Sequence, residues 1–170
     1  MELLEFKNDK ELQKYFNDIL EKIINNVSEK VFSELQKHIL NTIYSPQEGW
    51  YKRYGAHGGF LSGWELDKLQ SIANQITRNI YFNPDNLISP SRDSQNNGYA
   101  HGDVDDNIDR RNQLPIILNS EGWNAVESEF GGAYYPRNTS AGYWDEFINY
   151  LDNNIWQWFD KECKKYGIRR

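Results

Sequence analysis

An acidic segment with the order His-Gly-Asp-Val-Asp-Asp-Asn-Ile-Asp is the part of this chain closest to a cation-binding pattern. Asp103, Asp105 and Asn107 match the first, third and fifth ligand positions of an EF-hand calcium loop. Ile108 stands where that loop needs glycine for its turn, and Leu114 stands where it needs a bidentate glutamate. The sequence therefore predicts no metal site and no cofactor. It favours a solvated acidic loop that caps the following helix, with an irregular calcium site as the alternative.

Nucleophilic and zinc chemistry lack the residue spacing that they require. His38, His57 and His101 are the three histidines of the chain, and they lie far apart in the sequence. Cys163 is the single cysteine, and its place on the inner stripe of a predicted helix favours a small buried hydrophobe. The chain has no HExxH, GxSxG, Walker or GxGxxG pattern. We therefore predict that the protein is not an enzyme.

Aromatic and arginine residues in irregular segments are better candidates for function, and the function they indicate is association. The segment 44–61 reads YSPQEGWYKRYGAHGGFL, where aromatic and basic residues alternate among glycines. Large aromatic rings and forked arginine hydrogen bonds dominate the energetics of protein interfaces. The predicted subunit-interface residues are Trp50, Tyr51, Arg53, Tyr54, Arg110, Arg111 and Arg137. The alternative is that the rings fill the core and the arginines face solvent.

A long amphipathic helix precedes these segments. Apolar residues recur every three or four positions over 9–43, which predicts one continuous helix with a buried face. The members of this stripe are Leu12, Phe16, Ile19, Ile23, Val27, Val31, Leu35 and Ile39. At about 1.5 Å per residue the helix spans roughly 50 Å, which exceeds the diameter of a compact domain of this size. Part of it is expected to pack outside its own core, on a neighbouring copy. A long core helix in a monomer is the alternative.

The rest of the pattern predicts an α+β fold in a single domain, 1–170. A small, mostly antiparallel sheet is expected to pack against the long helix and a terminal helix, with a long irregular loop between them. The expected elements are strands at 60–66 and 75–82, the long loop 83–107, a short helix at 109–119 and the terminal helix at 143–166.

Composition narrows the class of protein. A net charge of -6 disfavours a general nucleic-acid-binding surface, because neutralising phosphates requires clustered lysine and arginine. One cysteine provides no disulfide framework, which fits a reducing compartment. The sequence predicts neither an export signal nor a membrane-spanning segment, so no membrane partner is expected.

In the order of these features the chain resembles a family of tailed-phage neck proteins, described as minor structural, head-tail connector or tail-completion proteins. The resemblance rests on the long first helix, on the terminal amphipathic helix and on three short motifs. The motifs are YKRYG at 51–55 followed by GFL at 59–61, DRR at 109–111 followed by LPIILN at 114–119, and PR at 136–137. The chain departs from the family pattern where Tyr54-Gly55 replaces the usual Thr-Gly and where the 83–107 loop is long.

The resemblance implies a non-enzymatic virion protein that assembles into a homo-oligomeric ring around the DNA exit channel. Portal or adaptor proteins and tail proteins would be its neighbours, and DNA would pass through the lumen without specific binding. The protein would be made in the host cytoplasm and located in the neck or tail of the virion. The alternative function is a small soluble enzyme or a glycan-binding module with its site in the 83–107 loop.

Overall fold

Helix α1, Asp9–Ile39, is the longest element of the computed structural model, which describes residues 6–44, 60–72, 75–87, 114–120 and 142–168. Asn8 caps the start of α1, where its Oδ1 accepts a hydrogen bond from the backbone N–H of Glu11 at 3.0 Å. The helix continues as a π-helical turn at Leu40–Tyr44. The prediction of one continuous helix over 9–43 is therefore confirmed.

The apolar stripe of α1 is buried along most of its length but not at its start. The buried members are Ile19, Ile23, Val27, Val31, Leu35, Ile39 and Ile43. Leu12 is only half-buried and Phe16 is exposed. The first turns of α1 thus lie beyond the core that covers the rest of the stripe.

The sheet region is a nested antiparallel hairpin with an irregularity in its middle. Strand β1 (Trp64–Leu66) pairs with β4 (Ile80–Phe82), and β2 (Gln70–Ile72) pairs with β3 (Gln75–Thr77). Between the two pairs, residues 67–69 of one arm face residues 78–79 of the other, so one arm carries an extra residue, as in a β-bulge.

The prediction of one strand over 75–82 is wrong at this break. Asp67 spans the break with both its backbone and its side chain. Its N–H donates to the carbonyl oxygen of Asn79 at 3.0 Å, and its Oδ1 and Oδ2 accept from the backbone and side-chain nitrogens of Asn79 at 2.7 and 2.8 Å. The break turns Arg78 out of the ladder, and its Nε donates to the carbonyl oxygen of Asp67 at 2.8 Å.

The prediction of a strand over 60–66 holds only for β1, because Phe60–Gly63 forms a 3-10 helix. The N–H of Leu61 donates to Tyr44 Oη at 2.9 Å, whereas the carbonyl oxygen of Gly63 continues the β1–β4 pairing and accepts from the N–H of Asn83 at 2.6 Å. Gly63 also lies against the ring of Phe82, where any side chain would collide. The turn buries Phe60 completely.

Helix α2, Leu114–Ser120, corresponds to the helix predicted at 109–119, of which positions 109–113 lie outside the described residues. The predicted loop 83–107 begins with a 3-10 turn, Pro84–Asn86, and its positions after Leu87 also lie outside the described residues. Leu87 is buried, so the start of this segment belongs to the core.

Helix α3, Tyr143–Lys165, confirms the predicted terminal helix. Its N-cap is Gly142, which has a φ of 98° and no side chain to cap the helix. Asn119 of α2 supplies the missing acceptor, because its Oδ1 accepts from the backbone N–H of Trp144 at 2.9 Å. A residue distant in sequence therefore fixes where α3 begins.

Helices α1 and α3 pack against each other in antiparallel directions. His38 near the end of α1 donates from Nε2 to the carbonyl oxygen of Tyr143 at 2.7 Å, at the start of α3. Asn26, twelve positions earlier, donates from Nδ2 to Glu162 near the end of α3 at 3.0 Å. Together with the antiparallel strands, this pair makes the α+β fold that the sequence predicts, and most of the described residues are helical.

Candidate functional site

An apolar groove with a volume of about 480 Å³ lies between α1, α3 and the hairpin. Its walls come from α1, from α3 and from the hairpin residues Arg78 and Ile80. The described lining residues are Ile24, Val27, Ser28, Val31, Arg78, Ile80, Ile155, Trp156 and Phe159. We call this surface the Trp156 groove.

Trp156 forms the rim of the groove on α3. Its side chain is 60% exposed, whereas its helix neighbours Ile155 and Phe159 are partly buried and pack against the core. The ring of Trp156 contacts the ring of Phe159 edge-on at 6.2 Å, which holds the indole beside the opening. A large exposed aromatic ring next to an apolar channel is the composition of an interface anchor.

Arg78 closes the groove on the hairpin side and contributes no free charge to it. Its Nη1 donates to Asn25 Oδ1 at 2.7 Å and lies 3.4 Å from Glu29 Oε1, while its Nε binds Asp67. The guanidinium group is thus engaged with α1 and the hairpin break, and only 14% of the side chain is exposed. Arg78 anchors the hairpin to α1 and lines an otherwise apolar wall.

A second uncovered apolar surface lies on the first turns of α1. Phe16 is 47% exposed and Leu20 is 37% exposed, and Leu12 precedes them at the same spacing of four residues. Residues four apart share one face of a helix, so these three form a ridge, which we call the α1 ridge. Tyr166, just after α3, lines a recess with Asp18. The residues 9–17 therefore extend past the end of α3, by about 13 Å at 1.5 Å per residue.

A charge cluster near the other end of the helix pair fixes the two helices together. Glu34 Oε1 accepts from Lys30 Nζ at 2.7 Å and from Lys37 Nζ at 2.8 Å, and its Oε2 accepts from Tyr150 Oη of α3 at 3.3 Å. The hydrogen bonds from Lys30 and then Lys37 lower the pKa of Glu34 to about 2. The same Lys30 lies over the ring of Trp158 at 5.5 Å.

A second polar cluster surrounds Glu65 on β1. The carboxylate accepts from Tyr81 Oη at 2.5 Å, from Asn83 Nδ2 at 3.1 Å and from Asn86 Nδ2. The hydrogen bond from Tyr81, followed by those from the two amides, lowers the pKa of Glu65. These four hydrogen-bonded groups connect the hairpin to the 3-10 turn Pro84–Asn86 that follows it, so the cluster has a structural role.

Neither cluster has the composition of a metal or nucleophile site. In the part of the chain that the structure describes, no three His, Cys, Asp or Glu side chains come together as metal ligands. Cys163 is half-buried and packs against the core, in agreement with its predicted packing role. His38 binds the backbone of α3, and His57 and His101 lie outside the described residues.

The seven predicted interface residues cannot be compared with either surface. Trp50, Tyr51, Arg53, Tyr54, Arg110, Arg111 and Arg137 all lie outside the described residues, as does the acidic segment considered for calcium. Their assignment stays a prediction.

The sequence reasoning missed Trp156, the residue that marks the groove. Trp156 falls just off the inner stripe of α3, in a row with Ile148, Asp152 and Asp160 at spacings of four. A tryptophan with an aspartate one turn away on either side is the signal that indicates an exposed anchor. Nothing comparable distinguishes Arg78, because its place depends on the hairpin break.

Two further findings bear on the class of protein. None of the helices in the described ranges is long and apolar enough to cross a lipid bilayer. Comparison with protein-family models, with curated proteins and with solved structures finds no match to this chain.

Proposed function

We propose that this protein is a non-enzymatic structural subunit of the neck of a tailed bacteriophage, where copies assemble into a ring between head and tail. The observation that carries this proposal is the Trp156 groove together with the α1 ridge. Both surfaces are apolar and lie on the helix pair of α1 and α3. In the part of the chain that the structure describes, the core covers neither of them completely. Uncovered apolar surface on a folded chain is typical of a protein that associates.

The chemistry of the groove favours association over catalysis. Among its described lining residues only Arg78 is ionisable, and its guanidinium group is bound to α1 and to the hairpin. A catalytic pocket needs a few polar or titratable groups aimed at the substrate. The groove instead offers aliphatic and aromatic side chains, which suit the apolar face of another protein element.

The charge of the chain suits a channel that DNA must traverse. The net charge of -6 gives a ring built from this chain an acidic overall surface. Like charges repel the phosphate backbone, so DNA slides through such a lumen without being bound. Portal or adaptor proteins on one side and tail proteins on the other are the proposed neighbours.

The test is the location of the protein in the virions of the phage that carries this gene. Antibodies against the chain are expected to label the head-tail junction in electron micrographs, and deleting the gene is expected to leave filled heads without attached tails. Virions that lack the protein by mass spectrometry, or a deletion that leaves tailed infectious particles, would overturn the proposal. A hydrolytic or glycan-binding activity of the purified chain, found together with either result, would favour the alternative function.

A further inference from the structure

The hairpin has an inner part that belongs to the core and an outer part that does not. Trp64 of β1 is buried, and Ile80 and Phe82 of β4 pack against the core. All three residues of β2 are exposed, and the side chain of Ile72 is 71% exposed. Strand β3 is exposed at its first residue and half-buried at the next two. We call β2 and β3 together the outer arm.

The hairpin break makes the pairing of the outer arm separate from that of the inner strands. Asp67 and Asn79 still pair beside β1 and β4, whereas Lys68 and Leu69 both face Arg78. The two strand pairs are therefore two separate sheets. A two-stranded hairpin is at best marginally stable in water, so the outer arm needs an attachment to the rest of the fold.

Arg78 provides such an attachment at the break itself. Its Nη1 donates to Asn25 Oδ1 of α1 at 2.7 Å, and its Nε donates to the carbonyl oxygen of Asp67 at 2.8 Å. Only 14% of the side chain is exposed, so water competes little for these charge-assisted hydrogen bonds. We propose that the outer arm opens as a separate unit of the fold, and that Arg78 is the latch that closes it on α1.

The inner strands have attachments of their own that keep them in place when the latch opens. Glu65 of β1 accepts hydrogen bonds from Tyr81 and Asn83, and Trp64 stacks on Trp144 of α3 at 5.1 Å. Segments with few buried apolar contacts open at a lower free energy than the core, and the elements that move in folded proteins are drawn from them. The outer arm can therefore rearrange while the core stays folded, whether or not the protein forms a ring.

The first test is amide hydrogen exchange of the wild-type protein at urea concentrations below the unfolding transition. Opening of the outer arm exposes little surface, so exchange in β2 and β3 is expected to depend only weakly on urea. Exchange in β1 and β4 is expected to show the steep urea dependence of global unfolding. The difference between the two strand pairs measures the independence of the arm.

The second test removes the latch. Arg78→Met keeps an unbranched apolar stem and loses the guanidinium group, and it is expected to speed exchange in the outer arm by about tenfold or more. Exchange in β1 and β4 is expected to stay unchanged. Arg78→Lys is expected to have an intermediate effect, because an ammonium group cannot reproduce the fork that reaches both Asp67 and Asn25.

Glu29→Gln is the matched control. The Glu29 side chain is 59% exposed and lies 3.4 Å from Arg78 Nη1, so removing its charge leaves both strong hydrogen bonds of the latch in place. Exchange in the outer arm of this variant is expected to match that of the wild type, as for an exposed ion pair. Acceleration as large as in Arg78→Met would mean that the charge near the break, and not the latch, holds the arm.

Other results would also overturn the proposal. In the wild type, one urea dependence shared by all four strands would place the outer arm in the cooperative core, and exchange at the rate of an unfolded chain would leave no closed arm to latch. For Arg78→Met, wild-type exchange in the arm, equal acceleration in all four strands, or loss of helical content by circular dichroism would each refute the role of Arg78.

Discussion

Aromatic side chains hold the described core together. Phe60 is fully buried and contacts the rings of Trp64, Phe82 and Tyr143 at centroid distances of 5.3 to 6.2 Å. Trp64 in turn stacks on Trp144 at 5.1 Å, with an interplanar angle of 10°. One cluster therefore joins the hairpin to the start of α3. Because these rings are buried against one another, a polar atom on one of them that lacks a hydrogen bond lowers the stability of the fold.

Two of those polar atoms are buried without a hydrogen-bond partner. Among the residues that the structure describes, these atoms are Trp64 Nε1 and Tyr143 Oη. Burial alone raises the pKa of Tyr143 well above its ordinary value, because no group compensates for the loss of water. An unsatisfied buried hydroxyl costs about 1 to 3 kcal/mol.

We predict that Tyr143→Phe raises the free energy of unfolding by about 1 kcal/mol, because it removes an unsatisfied hydroxyl without opening a cavity. Tyr44→Phe is the matched control, since Tyr44 Oη accepts from the N–H of Leu61 at 2.9 Å. That variant is expected to lose about 1 kcal/mol. Urea unfolding measures both. A loss of stability in Tyr143→Phe as large as that in Tyr44→Phe would contradict the prediction.

Glu34 makes stability depend on acid pH. Its pKa lies at about 2, below the value of 4.5 for a free side chain, because Lys30 and Lys37 donate to the carboxylate. A depressed carboxyl pKa contributes stability that is present above pH 4.5 and is lost as pH falls towards 2. We predict that Glu34→Gln loses less than about 1 kcal/mol at pH 7, because the lysines that pair with Glu34 are 45% and 59% exposed and solvent screens their ion pairs.

The difference between wild type and Glu34→Gln is expected to shrink as pH falls from about 5 to about 2, where the wild-type carboxyl group becomes neutral as well. Urea unfolding of both proteins at several pH values measures it. A difference that stays constant over this window would show that the carboxylate charge does not stabilise the helix pair.

Helix α1 has two parts that differ in how much of their apolar surface packs against the rest of the fold. From Ile19 to Ile43 its stripe packs on α3 and the hairpin, whereas residues 9–17 extend past Tyr166. An isolated helix of this length is marginal in water, because nucleating and fixing its first turn is costly. The N-cap that Asn8 provides therefore stabilises the first turns of α1 more than it stabilises the rest of the fold.

We predict that Asn8→Ala destabilises the start of α1 by about 1 kcal/mol, the usual effect of removing an N-cap. Amide hydrogen exchange at residues 11–16 is expected to become about fivefold faster, while exchange at Leu35 and Ile39 stays unchanged. The first turns open locally without the rest, since Leu12 is only half-buried and Phe16 is exposed. Equal acceleration along the whole helix would mean that the first turns belong to the cooperative core. Asn8→Asp, which keeps the cap, is the control.

The irregular segments that contain Tyr54 and Arg137 are expected to complete the contact between subunits of the proposed ring. The α1 ridge alone offers only three apolar side chains, whereas a stable interface needs about 800 Å² from each partner. Tyr54 and Arg137 are of the residue types that act as anchors, and both lie in glycine-rich and aromatic segments. They are therefore expected to contribute the remaining area.

We predict that Tyr54→Ala and Arg137→Ala each weaken subunit association by about 2 kcal/mol or more, with little effect on folding of the monomer. Sedimentation velocity of the purified variants and electron microscopy of virions carrying them measure the effect. Lys52→Ala, which removes a charge from the same segment outside the predicted interface residues, serves as the control. Intact necks and normal numbers of infectious virions from both variants would refute this interface assignment.

The two long helices could be predicted from the sequence because each repeats its apolar pattern over many turns. The stripe of α1 and the stripe of α3 give their boundaries to within a few residues. The strands could not be placed in the same way, since each has only three residues and alternation cannot be recognised over so short a run. The α+β class was predictable because it depends on the helices and on the presence of a hairpin alone.

By itself the sequence determined which residues face inward along α1 and α3, because helical periodicity is a local property of the chain. Only the tertiary structure decided that Phe16 is 47% exposed and Trp156 is 60% exposed, since exposure depends on where a neighbouring element ends. Only the tertiary structure aimed Arg78 at Asn25, because the hairpin break that turns it depends on a register between distant residues. The candidate site lies where elements stop short of one another, and that is set by packing across the whole fold.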